Sequence, residues 1–198
     1  MTPEQFKDFW TTTYPETLPI QHFFKYDYSD RWFRIHSLPH SKRYADTDEE
    51  WDILLTRHNT IITDILGDNA KVFLVTGDYN NYNEPTEAHI TEQEPCFLNF
   101  SFQRLGDIDL FELSSEQYDK GQVYRPVFTE TVWMPHQHDN ILRDIADDKI
   151  RAFFISLDKK TIAAPYDGGV DFVLEDKETR DFYKEKYKDW LSDREDGL

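Results

Sequence analysis

Between residues 71 and 134 four apolar runs follow one another with little helical pattern between them, and this feature constrains the fold most. The runs cover residues 71–76, 96–104, 107–113 and 123–134. Parallel neighbours need a crossover of a dozen or more residues, usually a helix, so consecutive strands without one pair antiparallel. A polar stretch at 77–94, with Asn80, Asn81 and Asn83, reads as a loop between the first two runs.

Helical signals flank this block. At 48–66 Thr47 and Glu50 match a capping box, and Trp51, Leu54, Leu55, His58, Ile61, Ile62 and Ile65 repeat at the 3.6-residue period before Gly67 stops the helix. Thr2 and Pro3 begin an earlier helix whose Phe6, Phe9 and Trp10 share one face. Residues 31–38 read as a strand ended by Pro39. Beyond Pro135 come a short helix with Ile141, Leu142 and Ile145, capped by Asp139, and a strand over 151–157. The runs 161–165 and 170–174 predict a hairpin, with Asp167-Gly168-Gly169 supplying the positive φ that tight turns use. Phe182, Tyr183, Tyr187, Trp190 and Leu191 form the stripe of a last helix. The order predicts an α+β fold, a mainly antiparallel sheet packed against amphipathic helices, as one compact domain over 1–198 without repeats or linkers.

A formal charge of −17 opposes binding to phosphate backbones, because nucleic-acid affinity rests on Lys and Arg releasing counterions. It suits solubility and fast encounter with a basic protein partner. Sixteen per cent aromatic residues supply the core of a chain short of aliphatics. Cys96 is the single cysteine, which rules out an internal disulfide and multi-cysteine zinc sites and points to a reducing cytosol. The sequence carries neither a leader pattern nor a run of apolar residues long enough for a membrane span.

The residues from Arg31 to Arg43 hold four positive charges and no acid, so the other residues carry −21. Arg31, Arg34, Lys42 and Arg43 are candidates for holding a phosphate or carboxylate, with Ser37 or Ser41 as hydroxyl donors. Strand alternation puts His36 on the face of Arg34. The structural alternative is that these cations pair with the surplus carboxylates. Asp167 and Asp171, around two glycines, are candidate ligand-binding carboxylates or plain hairpin residues. His136 and His138 with Asp139 make a weak half of a metal site that lacks a third ligand, and a turn explains them equally. His58 and Cys96 read as core residues. Nucleophile elbows, phosphate loops, dinucleotide fingerprints and kinase motifs are missing, so neither a cofactor nor an enzyme class is indicated.

The block Arg31-Trp-Phe-Arg-Ile-His-Ser-Leu-Pro39 with Ser41-Lys-Arg-Tyr44 resembles a block in bacterial proteins of unknown function, as does the ending Pro165-Tyr-Asp-Gly-Gly-Val-Asp171, Tyr187-Lys-Asp-Trp-Leu-Ser192 and Gly197-Leu198. The resemblance implies a bacterial cytosolic single-domain protein and assigns no activity. The leading expectation is therefore a non-enzymatic acidic interaction protein, immunity-like or a modulator of a basic partner. The alternative is an enzyme or sensor that binds an anionic small molecule at residues 31–43.

Overall fold

The computed structural model describes residues 1–81, 91 and 94–192. Among these the chain runs α1 (Pro3–Thr13), α2 (Phe24–Asp27), β1 (Trp32–His36), α3 (Asp48–Leu66) and β2 (Ala70–Asn81). It continues with β3 (Gln103–Arg104), β4 (Ile108–Asp109), α4 (Leu110–Leu113), β5 (Gln122–Trp133), α5 (Asp139–Ala146), β6 (Ala152–Ser156), β7 (Thr161–Tyr166), β8 (Gly169–Val173) and α6 (Lys177–Lys186). The eight strands form one antiparallel sheet in the order β1-β8-β7-β6-β2-β5-β3, with β4 also on β5. The fold is α+β.

Helices cover both faces of the sheet, which explains why its central strands read as continuous apolar runs. In β2, Val72 and Leu74 turn toward α3 and α5, where they meet Ile61, Ile62, Ile65, Leu142 and Trp133. Phe73 and Val75 turn the other way, toward Phe6 and Trp10 of α1 and Phe24 of α2. Successive side chains of a strand alternate between faces, so a strand covered on both needs apolar residues at every position. The α1–α2 layer is pinned by polar contacts of α1: Thr2 caps α1 in a capping box with Gln5, and the Trp10 indole donates to the Thr17 carbonyl at 2.8 Å.

Several expectations change. Residues 77–81 are strand, because β5 is equally long and pairs β2 out to Asn81; Asn83 lies outside the described residues. Residues 96–104 are not a strand. Pro95 opens a short 3-10 turn that buries Phe97, and only Gln103–Arg104 pairs with β5. Strand pairing at 107–113 stops at Asp109, whose carboxylate accepts the Glu112 amide at 3.1 Å and starts the single turn α4. Thr47 caps α3 as expected, but the Glu50 carboxylate reaches the Asp46 amide instead of completing the box. Asp139 begins α5 without capping it, because its carboxylate holds Asn59 and His136. Phe182 is 62% exposed and leaves the stripe to Tyr183, Tyr187, Trp190 and Leu191.

The glycines of the β7–β8 turn act through space rather than through φ, for neither has the left-handed backbone. A Cβ on Gly169 would lie 1.9 Å from the Ile35 carbonyl oxygen, so glycine is what lets β1 close on β8. No helix among the described residues is long and apolar enough to cross a membrane.

Candidate functional site

The register of β1 on β8 sets Arg34 opposite Asp171. Their side chains meet in a bidentate pair, Nε to Oδ1 at 2.6 Å and Nη2 to Oδ2 at 2.9 Å, on the sheet face that α1 and α2 cover in part. Burial pushes the Asp171 carboxyl up, and the guanidinium pulls against it. The Arg34 guanidinium lies 4.4 Å from the centre of the Tyr166 ring. One turn further along the hairpin, buried Asp167 accepts hydrogen bonds from Arg43 and from the Tyr44 hydroxyl at 2.9 Å.

These residues line a cavity of about 420 Å³ where the α1–α2 layer ends and the sheet face lies bare. The remaining wall comes from distant parts of the chain. Gln21 donates to the Ala164 and Pro165 carbonyls at 3.2 and 2.6 Å, tying the segment before α2 to β7 and bringing His22 and Lys25 to the rim. Arg151 shares the face of Phe153 at the start of β6. Tyr79 and Tyr124, paired across β2 and β5 with ring centres 4.9 Å apart, close the far side. Gly77 makes room for them: a Cβ there would lie 2.7 Å from the Tyr124 ring.

Among the described residues the cavity is lined by four cations, Lys25, Arg34, Arg43 and Arg151, against three carboxylates, Asp148, Asp167 and Asp171. In a molecule of charge −17 this concave site leans positive. Two of the cations are held by Asp171 and Asp167, whereas Lys25 and Arg151 have no ion-pair partner among the described residues. The His22 ring sits between the Tyr79 and Tyr118 hydroxyls at 3.4 and 3.3 Å. Burial, with Arg151 nearby, holds it below the ordinary imidazole range. Burial likewise pushes the Tyr79 hydroxyl up to about 12, so it stays a neutral donor.

Left-handed backbone borders the site twice. His40 and Ser41 have φ of 57° and 54° just before Lys42 and Arg43, and Asp148 at the rim has φ of 55°. Such residues cost energy and cluster where the surroundings must aim side chains.

Of the residues singled out from sequence, Arg34, Arg43, Asp167 and Asp171 converge on the cavity and the others do not. Arg31 lies over the Tyr28 ring at 4.1 Å and donates to the Leu174 and Glu175 carbonyls at the opposite end of β1. Lys42 pairs with Asp46 at 2.8 Å and Glu50 at 2.6 Å near the start of α3. The His36 carbonyl accepts from Arg57, and its ring does not line the cavity. Ser37 turns to the other face, where its Oγ meets His58 Nε2 at 2.8 Å. His136 contacts Asp139 at 3.1 Å, while His138 is buried against Trp133 with Nε2 on the Val132 carbonyl. Among the described residues no three His, Cys, Asp or Glu side chains are placed to hold a metal ion. The Cys96 thiol is pushed up to about 12 by burial and Asp144, far from thiolate reactivity.

Lys25, His22, Tyr79, Tyr124, Asp148 and Arg151 line the cavity without having stood out as site residues in the sequence. The one local signal was the period-2 spacing that puts Arg151 on the face of Phe153.

A family model described as a domain of unknown function, DUF3885, matches residues 20–195. The chain belongs to the DUF3885 family. The matched span contains every cavity residue from Gln21 to Asp171 and leaves out α1. No curated protein and no solved structure matches the chain.

Proposed function

We propose that this DUF3885 protein binds a small anionic molecule, a carboxylate or a phosphate, in the cavity between β1, β6, β8 and the segment around α2. One observation carries the reading. Arg34 and Arg43 are fixed in place by Asp171 and Asp167, while Lys25 and Arg151 face the same space without ion-pair partners among the described residues. Fixed guanidinium groups over aromatic rings suit recognition of planar or tetrahedral anions, and unpaired cations supply the net attraction. The volume lies at the small end of ligand pockets. The single cysteine and the family resemblance favour the bacterial cytosol as the place of action.

The test is a thermal-shift panel of phosphate, citrate, sugar phosphates, nucleotides and dicarboxylates. A true ligand at a hundred times its Kd raises Tm by roughly 5–10 °C for a chain of this size. The Lys25→Gln/Arg151→Gln double variant should lose that shift. A flat panel would count against the reading.

A second reading, an acidic protein that docks a basic partner, draws on a different observation. Three cations of the 31–43 stretch are paired with Asp171, Asp46, Glu50 and Asp167, a set of net charge −1, and the remaining residues still carry −16 of the total −17. It predicts a partner whose affinity falls steeply between low and physiological salt. Failure to recover a reproducible partner at low salt would remove it.

A further inference from the structure

Charge of both signs lines the cavity outside its ion pairs. Besides Lys25 and Arg151 there is Asp148, which makes no ion pair among the described residues, although it lies within electrostatic reach of Arg43. Its acidic neighbours Asp144 and Asp147 are engaged instead by Lys149, at 3.3 and 2.9 Å. The left-handed backbone of Asp148 sets it apart from them at the rim. A ligand carrying only negative charge would meet Lys25 and Arg151 favourably and Asp148 unfavourably, because like charges brought within a few ångströms repel even at an exposed rim.

Building on the anion-binding reading above, we propose that the ligand is a zwitterion, an α-amino acid with an apolar side chain. Its carboxylate meets Lys25 and Arg151, and its ammonium group meets Asp148. The apolar part of the wall, made by Phe153, Ile145, Ile150 and the Tyr124 ring, receives the side chain. The volume of about 420 Å³ suits a single amino acid or a dipeptide. Arg34 and Arg43, already neutralised by their aspartates, shape the site without adding net charge.

Titration calorimetry on the full chain separates the two readings with four probes: phenylalanine, N-acetylphenylalanine, phenylalanine amide and inorganic phosphate. Phenylalanine should bind, and each blocked form should bind at least tenfold more weakly, the acetylated one because it lacks the ammonium group and the amide because it lacks the carboxylate. Asp148→Asn, at an exposed position where Asn tolerates the left-handed backbone, should weaken phenylalanine about tenfold and leave phosphate no weaker. N-acetylphenylalanine binding as tightly as phenylalanine would overturn the zwitterion and leave the anion reading standing, as would binding of phosphate with no response to phenylalanine. If none of the four binds, the zwitterion proposal fails, and the wider anion panel then decides the reading beneath it.

Discussion

Arg34 and Asp171 are 13% and 7% exposed, so the Asp171 carboxylate depends on the guanidinium to stay ionised, and the guanidinium, charged in any setting, depends on the carboxylate to offset its burial. Breaking a buried pair leaves an uncompensated charge and costs about 3–5 kcal/mol, while replacing both partners with apolar residues is often neutral. Urea unfolding of Arg34→Met should show that loss, and Arg34→Met/Asp171→Leu should recover most of it. A double variant as unstable as the two single losses added together would contradict the pairing. His58 makes a second prediction. Burial and Arg57 hold its imidazole down to about 3, so it is neutral in the fold, while in the unfolded chain it titrates near 6.5. The folded value is depressed, so the unfolded chain takes up the proton first and stability falls as pH drops below about 6.5. Between pH 6.5 and 5 His58 should contribute a slope approaching about 1.4 kcal/mol per pH unit, to which buried His138 adds in the same direction. In Ser37→Ala/His58→Leu that share of the slope should vanish; an unchanged slope would refute it. At this scale the sequence was partly legible. The Arg34 and Asp171 positions stood out by charge, but their partnership depends on the β1–β8 register, which no local signal sets.

β1 is an edge strand, and its even-numbered residues turn their backbone groups away from β8. Two arginines from the helical layer cover them: Arg180 donates to the Trp32 carbonyl at 3.3 Å and Arg57 to the His36 carbonyl at 3.0 Å. Exposed edges invite pairing with a second chain, and charged side chains that bond the outward carbonyls block it. Sedimentation velocity on Arg57→Met/Arg180→Met should therefore show concentration-dependent self-association beyond that of the parent. Identical profiles would mean the arginines do not guard the edge. The elements themselves were mostly readable, because helical periodicity in α3 and continuous apolar runs in β2 and β6 report burial directly. Residues 96–104 misled for the same reason. Phe97, Phe100 and Phe102 are there to pack against the α3 and α5 layer from an irregular segment, and hydrophobicity alone does not distinguish that from a strand. The polar end of β2 was hidden because its length is set by its partner β5, a tertiary effect that overrides composition.

At the scale of the molecule, the sheet order brings Lys25, Arg34, Tyr79, Arg151 and Asp171 to one open patch from five separate parts of the chain. Fold class followed from the order of patterns, but strand order did not, and the cavity exists only once β1, β6 and β8 are placed relative to one another. The contrast between an acidic exterior and a positively leaning cavity is the central physical feature. The most direct test is a chemical-shift titration of the isotope-labelled protein with the anion that gives the largest thermal shift. Resonances of Lys25, Arg151, Phe153 and Tyr166 should move together with one saturating Kd. Shifts confined to another face, such as the surroundings of Trp190, or no shifts at all, would contradict it.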